Sequence, residues 1–401
     1  MISDKQLMKI RDLGRVITGK TPPTVRVEFF GTDFPFITPT DIKSFDVRYL
    51  SQTERYLSRQ GYEFQKRYLL HRNTVCYVCI GSTIGKMCLV ERESFTNQQI
   101  NSIVVDEKQY NPIYVFYLLR TITPRIQAIS GGSGAGKAIL NKTSFEDIEI
   151  EVHSRPIQDK IAAILSAYDD LIENNTRRIK ILEEMAQMIY REWFVHFRFP
   201  GHEKVKMVDS PLGKIPEGWE LKKTKDILKR LKAGTVYTET NVYETGCVPV
   251  IDQSRDSFLG FHDNEPDHLA SSENPIIIFG DHTCKMQVMV EPFSVGPNVV
   301  PFVAENEVPI LYLYFLVRNL VETKEYKRHW TELVIKKVVV AVNEHSRRFT
   351  SYIKPTFEQT NSLMRKNQIL RRTRDLLLPK LISGEVEVET IEFNADKTNK
   401  L

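Results

Sequence analysis

At 401 residues, with 41% apolar and 26% charged side chains, the chain has the makeup of an ordinary globular protein and the length for two to three domains, each with its own core. No apolar run reaches the roughly 18 residues a spanning helix needs, and the opening Met1-Ile-Ser-Asp-Lys lacks the apolar stretch of a signal peptide, so a cytoplasmic protein without membrane contact is expected. The formal charge is +4, but the stretch from Glu385 onward holds five acidic and two basic residues, leaving +7 on residues 1–384, a balance compatible with nucleic acid without demanding it.

Residues 1–152 mix short β-branched and aromatic runs with turn signals. Residues 34–37, 74–80 and 103–105 read as strands, and Asn111-Pro112 reads as the N-cap and first residue of a helix through Leu119. The five cysteines, an odd number lying mostly in such apolar runs, suit a reducing compartment better than a disulfide framework. The period then changes. Ile161, Leu165, Tyr168, Ile172, Asn175, Ile179, Leu182, Ala186, Ile189 and Trp193 follow alternating steps of four and three, a heptad seam on a helical spacer over 153–200 that spans roughly 50 Å at 1.5 Å per residue. Asn175 is its one fully polar member, a residue type that fixes register in such seams. Three prolines and three glycines from Phe197 to Gly218 mark a linker, placed at 201–218.

Residues 219–352 repeat the α+β texture, with strands expected at 248–251, 275–279 and 299–303. A second helix is expected to open at Pro355 within a spacer over 353–386. It has Leu363, Asn367, Leu370 and Leu377 on one face, is shorter than the first, has its seam interrupted by Arg374, and is ended or kinked by Pro379. If the two helices pair antiparallel, the globular domains lie at opposite ends. Residues 387–401 have the composition of a disordered tail. The expected fold is therefore α+β, with two similar globular domains joined and spaced by two long, coiled-coil-like helices.

The similarity is a duplication. Gly81-Ser-Thr-Ile-Gly-Lys86 and Gly280-Asp-His-Thr-Cys-Lys285 stand 199 residues apart, as do Pro156 and Pro355; Arg120 and Arg318, each closing an apolar run, stand 198 apart. Nearer the start the offset is 214, from Asp12-Leu13 to Asp226-Ile227, so the first copy carries about fifteen extra residues before Gly81. A duplicated domain plus helix presents two similar surfaces, which suits a two-part target better than one catalytic pocket.

Catalytic and metal motifs are incomplete. Gly131-Gly-Ser-Gly-Ala-Gly-Lys137 nearly spells a phosphate-binding loop, but Ala138 stands where Ser or Thr must ligate Mg²⁺, and a helix tail rather than a strand precedes it. A Gly-rich loop whose Lys137 reaches a phosphate backbone is the better reading. Asn111-Pro-Ile-Tyr114 lacks the second proline of the adenine methyltransferase signature and any preceding glycine-rich site for a methyl donor. Cys76 and Cys79 form half a zinc site, with Cys88 nearby but no second pair. His262, His268 and His282, the last two before Cys284, assemble into no triad. No catalytic residue, metal or cofactor is therefore expected on this chain.

Base reading calls for side chains with matched donors and acceptors. The first domain offers Thr38, Thr40 and Lys43; Ser82, Thr83 and Lys86; and the amide-rich Asn97, Gln98, Gln99 and Asn101. The second offers Asp252, Gln253 and Arg255; His282, Thr283 and Lys285; and Asn298. The same residue types also stabilise turns. A scaffold repeated with different polar heads is what two readers of different half-sites need. Lys66-Arg67, His71-Arg72, Lys222-Lys223 with Lys225, Lys327-Arg328 and Lys336-Lys337 are candidates for phosphate anchoring, which orients without reading sequence.

The stretch Asp169-Asp-Leu-Ile-Glu-Asn-Asn-Thr-Arg-Arg-Ile-Lys-Ile-Leu-Glu-Glu-Met-Ala-Gln187, with Tyr190-Arg-Glu-Trp-Phe194, Phe197-Arg-Phe-Pro-Gly201, Ile215-Pro-Glu-Gly-Trp-Glu220 and Leu378-Pro-Lys-Leu-Ile-Ser-Gly-Glu385, strongly resembles the specificity subunit of type I restriction–modification systems. Phe36-Ile-Thr-Pro-Thr-Asp-Ile42, Gly81 to Lys86, Thr96-Asn-Gln-Gln99 and Val250-Ile-Asp-Gln253 also look like that family. Asp281-His-Thr-Cys284 departs from the first copy's Ser-Thr-Ile-Gly. The resemblance implies two target-recognition domains, each reading half of a bipartite double-stranded DNA site, with the helices as a ruler between them. It further implies two modification subunits docked on the helices and carrying the S-adenosylmethionine chemistry, and an ATP-using motor-nuclease subunit that joins for cleavage. The chain itself is then non-catalytic. Competing readings are a DNA-binding adaptor outside restriction, and a nucleotide-dependent enzyme using the 131–137 loop.

Overall fold

The computed structural model describes residues 5–43, 48–131, 139–253, 258–323, 327–341 and 344–388. They form two compact units, one of Met1–Thr176 with Arg365–Leu401, the other of Arg177–Met364.

In the first unit, strands run in the order Gly14–Thr18, Ile100–Val105, Val75–Val78, Met87–Val90 and Tyr49–Leu50, antiparallel except for the last pairing. Alternation along Val75–Val78 sends Val75 and Tyr77 into one apolar cluster and Cys76 and Val78 into another. The strand is thus buried on both faces, which is why its sequence reads as a continuous apolar run. A second sheet orders Phe30–Gly31, Arg55–Leu57, Phe34–Ile37 and Phe95–Thr96, its last pair parallel. The helix Pro112–Gly131 lays Tyr114, Val115, Phe116, Leu118 and Leu119 into the larger cluster. Its Asn111 N-cap side chain accepts from the amides of Ile113 and Tyr114 at 2.9 and 3.2 Å.

The second unit repeats this plan. Leu228–Arg230, Val299–Ala304, Ile276–Gly280 and Met286–Met289 form its main sheet, and Phe258–His262, Val248–Ile251 and Ser294–Val295 its smaller one, again closed by a parallel pair. The helix Ile310–Val317 takes the place of Pro112–Gly131. Each unit carries the same tyrosine tie: the amide of His153 donates to the Tyr114 hydroxyl at 3.3 Å, and that of Ala341 to the Tyr312 hydroxyl at 2.9 Å. The pairings also locate the first copy's extra residues. Phe34 faces Leu57 and Val248 faces His262. By that register the strand-to-strand connection is nine residues longer in the first copy; of the remaining six, three fall between Leu57 and Tyr77, where the helix Arg59–Gln65 lies, and three in the turn from Tyr77 to Met87, whose counterpart joins Phe279 to Met286.

Two long helices contribute to both units, Arg155–Tyr190 of 36 residues and Glu344–Ser383 of 40. The second is the longer, which corrects the expectation of a shorter helix opening at Pro355. Pro156 does sit in the first turn, but Pro355 and Pro379 both lie inside their helix with exposed side chains. Proline removes one amide, and on a solvent-facing side water can reach the carbonyl left without it. The helix therefore passes both residues.

Within the first unit the helices run antiparallel, Asn175 opposite Asn367 at 2.9 Å and Asp169 paired with Arg374. Of the expected seam, Ile161, Leu165, Ile172, Leu363 and Asn367 are buried, and Asn175, Ile179, Leu182, Ile189, Leu370 and Leu377 half-buried. Arg374 does not interrupt the seam. It is 1% exposed and pairs with Asp169, whose carboxylate also accepts from Tyr117, and with Asp375 at 2.9 Å. Heptad reading misses such a residue because it scores side chains singly, and a buried charge is admissible only with its partner.

Two further boundaries move. The stretch read as a linker holds an antiparallel hairpin, Met207–Ser210 with Gly213–Pro216, and its Phe199, Ile215 and neighbouring Trp219 are buried with Phe194. At the other end Val388 is 3% exposed, packed with Leu378, Leu381 and Ile382 into the first unit's core, so the segment read as tail begins inside the fold; residues 389–401 lie outside the described ones.

Candidate nucleic-acid interface

In each unit three polar segments converge where the parallel strand pair ends. In the first, Phe34–Ile37 runs into the segment 38–43, and the Asn97 amide donates to the Ile37 carbonyl at 3.2 Å. The turn 81–86 closes beside them: the Cys79 amide donates to the Gln99 carbonyl at 2.9 Å, and Lys86 Nζ donates to the Ile42 carbonyl at 3.0 Å. Buried Asp41 organises the 38–43 segment. Its carboxylate accepts from the Thr38 amide at 2.8 Å, the Thr38 hydroxyl at 2.6 Å and the Glu54 amide at 2.7 Å, which joins the start of the strand connection to its return. This is local side-chain-to-backbone bonding of the kind Asp favours in turns. What it leaves outward are Thr40 and Lys43, both exposed.

The amide-rich segment divides by burial. Gln98 is exposed, its side-chain carbonyl accepting from the Thr21 hydroxyl at 2.8 Å. Asn97 and Gln99 brace each other, Asn97 Nδ2 donating to Gln99 Oε1 at 3.1 Å and the Gln99 amide to Asn97 Oδ1 at 3.0 Å. Asn101 is corrected as a reader: at 2% exposure it sits in the main sheet, accepting from Thr18 at 2.6 Å and donating to the Cys79 sulfur at 3.2 Å. Burial raises that thiol to about 12 against the opposing bond from Asn101, so Cys79 stays protonated at neutral pH. In the 81–86 turn Ser82 is exposed and Thr83 half-buried, its hydroxyl donating to the Ile80 carbonyl at 3.1 Å.

The second unit builds the same junction from different side chains. The Gly296 amide donates to the Ile251 carbonyl at 2.9 Å, and the Asp281 amide to the Asn298 carbonyl at 2.8 Å. The 280–285 turn grips Asp252 and Gln253 through three donors: the His282 amide to Gln253 Oε1 at 3.1 Å, the Thr283 hydroxyl to the Gln253 carbonyl at 2.6 Å, and Lys285 Nζ to the Asp252 carbonyl at 3.4 Å. Asp281, which by its amide's bond to Asn298 stands where the first copy has Cys79, is buried and accepts from the Trp330 amide at 2.7 Å, so this departure serves a neighbouring helix. The turn is three residues shorter in the second copy, joining Phe279 to Met286 where the first joins Tyr77 to Met87, yet both keep a left-handed residue just before the lysine. Gly85 has φ +97°, and a Cβ there would meet Thr123 Cγ2 at 2.4 Å; its counterpart Cys284 holds φ +53° with a side chain. Arg255 and Lys137 lie outside the described residues.

Of the three histidines considered, His262 and His268 are packing residues, while the His282 ring meets the Lys327 carbonyl at 3.0 Å. His262 stacks on Tyr237 with centroids 4.1 Å apart, and His268 stacks on Phe293 at 4.8 Å, its ring bonded to the Ala233 carbonyl at 3.2 Å. Among the described residues no cluster of His, Cys, Asp or Glu could hold a metal ion, and no helix is long and apolar enough to cross a membrane.

Two copies of one α+β domain, each ending in a polar junction, define a two-headed binding chain. Residues 2–184 match the model of the type I restriction modification DNA specificity domain. The type I restriction enzyme MjaIX specificity subunit of Methanocaldococcus jannaschii is 28% identical over 97% of this chain and 95% of its own, and the HindI specificity subunit of Haemophilus influenzae 30% identical over 44% of this chain and 38% of its own. The crystal structure of a type I restriction–modification S subunit from M. genitalium shares the fold with a TM-score of 0.57 at 16% identity, covering 94% of this chain and 96% of that one. Residues 2–184 thus match a type I restriction modification DNA specificity domain, and nearly the whole chain is similar to a type I restriction enzyme specificity subunit.

Proposed function

We propose that this chain is the non-catalytic DNA-recognition subunit of a type I restriction–modification complex, each domain reading one half of a bipartite double-stranded site. The observation that carries the reading is the repeated junction: one strand plan, with Thr40, Lys43, Ser82 and Gln98 exposed in one copy, and Thr283 exposed beside half-buried Asp252, Gln253 and His282 in the other. Equal scaffolds with unequal polar heads suit two different half-sites. Arg255 and Lys137 extend the two sets by their place in the sequence. The recognition domains correspond to 1–152 and 219–352, and the helices of 153–200 and 353–386 fix the spacing and dock two modification subunits. S-adenosylmethionine and ATP belong on the partners, the latter on a restriction subunit that joins for cleavage. The complex works where the chromosome is, in the cytoplasm.

Mapping methylation of host DNA with and without this chain, its modification partner being present in both, tests the proposal. A split motif with a fixed gap should lose its methylation when the chain is absent. Unchanged methylation with a demonstrably active partner would favour a DNA-binding adaptor acting outside restriction.

A further inference from the structure

The two junctions share one contact that sets a pair of lysines apart from the outward-facing side chains. Lys86 and Lys285, 199 residues apart, both turn their ammonium groups inward, onto the backbone carbonyls of Ile42 and Asp252. Each carbonyl belongs to the segment leaving the strand that ends in the parallel pair, Phe34–Ile37 in one copy and Val248–Ile251 in the other. Lys86 is half-buried, and Ile42, whose carbonyl it meets, is 0% exposed in a cluster with Ile37, Leu50, Cys76 and Val78. An ammonium engaged in this way on a buried residue's carbonyl is placed as a brace.

We propose that Lys86 is a specificity-determining positioning residue, whose ammonium holds the 38–43 segment in the shape that presents Thr40 and Lys43 to a half-site. The inference rests on the reading of that segment as a DNA reader. Asp41 ties the segment to the returning strand at Thr38 and Glu54. Lys86 ties its far end to the neighbouring turn, at Ile42, well past the last strand residue, Ile37. Between these two ties the backbone has few ways to rearrange, and base discrimination depends on how closely donors are held in place. Lysine suits the place because its reach spans two segments and its charge strengthens a bond to a neutral carbonyl.

A brace and a phosphate contact differ in what their removal does. Each phosphate contact contributes about 0.9 to the slope of log affinity against log salt, whereas a brace contributes to discrimination and leaves that slope alone. The test uses the assembled methyltransferase complex and the duplex found by methylation mapping, together with single-base changes in each half-site. Lys86→Met should lower discrimination at the first half-site about tenfold, the worth of one charge-assisted hydrogen bond, while discrimination at the second half-site and the salt slope stay unchanged. Lys86→Arg, which retains a cationic donor, should restore most of the loss. A slope lower by about 0.9 with discrimination intact would make Lys86 a phosphate contact and overturn the proposal. Equal loss at both half-sites, or failure of Lys86→Met to assemble with no rescue by Lys86→Arg, would reduce Lys86 to a general stability residue and overturn it equally. Thr40→Ala with Lys43→Ala tests the underlying reading separately: if that pair changes neither affinity nor discrimination while Lys86→Met does, the segment is not the reader.

Discussion

Burial and pairing decide what each polar residue does here, and sequence displays neither. Asn97, Gln98, Gln99 and Asn101 look alike as a run of amides, yet only Gln98 is exposed and Asn101 belongs to the sheet core. Only the register of the strand Ile100–Val105 identifies Asn101 as an inward residue, and register is a property of the paired sheet. Arg374 is the opposite case: alone it breaks a heptad, but with Asp169 and Tyr117 it belongs to one. Arg374→Met alone should cost about 3–5 kcal/mol by stranding Asp169, while Arg374→Met with Asp169→Leu should recover most of it, as measured by denaturant unfolding. Cys284 holds its left-handed backbone at the position where the first copy has Gly85. Cys284→Gly should therefore raise stability by about 1 kcal/mol in the same measurement. A thiol reagent should modify exposed Cys247 rapidly in the native protein and reach Cys76, Cys79 and Cys88 only on unfolding.

Among elements, the long helices are the most legible in type and the least in extent. Steps of four and three mark Arg155–Tyr190 correctly, because apolar residues that keep such a period over many turns can share one face only on a helix. The second helix is longer than its sequence suggests because an internal proline reads as a boundary. Pro355 is exposed in the helix interior, so the backbone bond it forgoes is not offset by packing. Pro355→Ala should stabilise the helix by about 1–3 kcal/mol, read as a higher unfolding midpoint. The polar layer of Asn175 and Asn367 is half visible in the sequence: both residues lie on the expected faces, but their 2.9 Å contact needs both helices to be in place. Such a layer penalises slipped registers, since displacement would leave each amide against apolar neighbours.

At the scale of the whole molecule, the duplication is legible from motif spacing alone. The change of offset from 214 to 199 falls in three places: a longer connection after Ile37, the stretch from Leu57 to Tyr77, and the turn from Tyr77 to Met87. What spacing does not reveal is how the chain is partitioned. The first unit draws on both ends, because Leu378, Leu381, Ile382 and Val388 share a core with Tyr114 and Ile161. His153 Nε2 donates to the Ile382 carbonyl at 3.0 Å, and Lys160 Nζ to the Val388 carbonyl at 3.2 Å. Removing residues from Leu378 onward should expose about 6 kcal/mol of apolar burial. Hydrogen exchange of Val75–Val78 should then accelerate well ahead of that of Ile276–Gly280.

That partition also sets an order of maturation. The unit of residues 177–364 is one uninterrupted stretch, so its core can close while the chain is still leaving the ribosome. The unit that holds Tyr114 and Ile161 must wait until the other unit has been made for Leu378 and Val388 to join its core. The half of the protein made first is thus the half finished last, and a nascent chain stalled late in synthesis would carry one completed head and one still open.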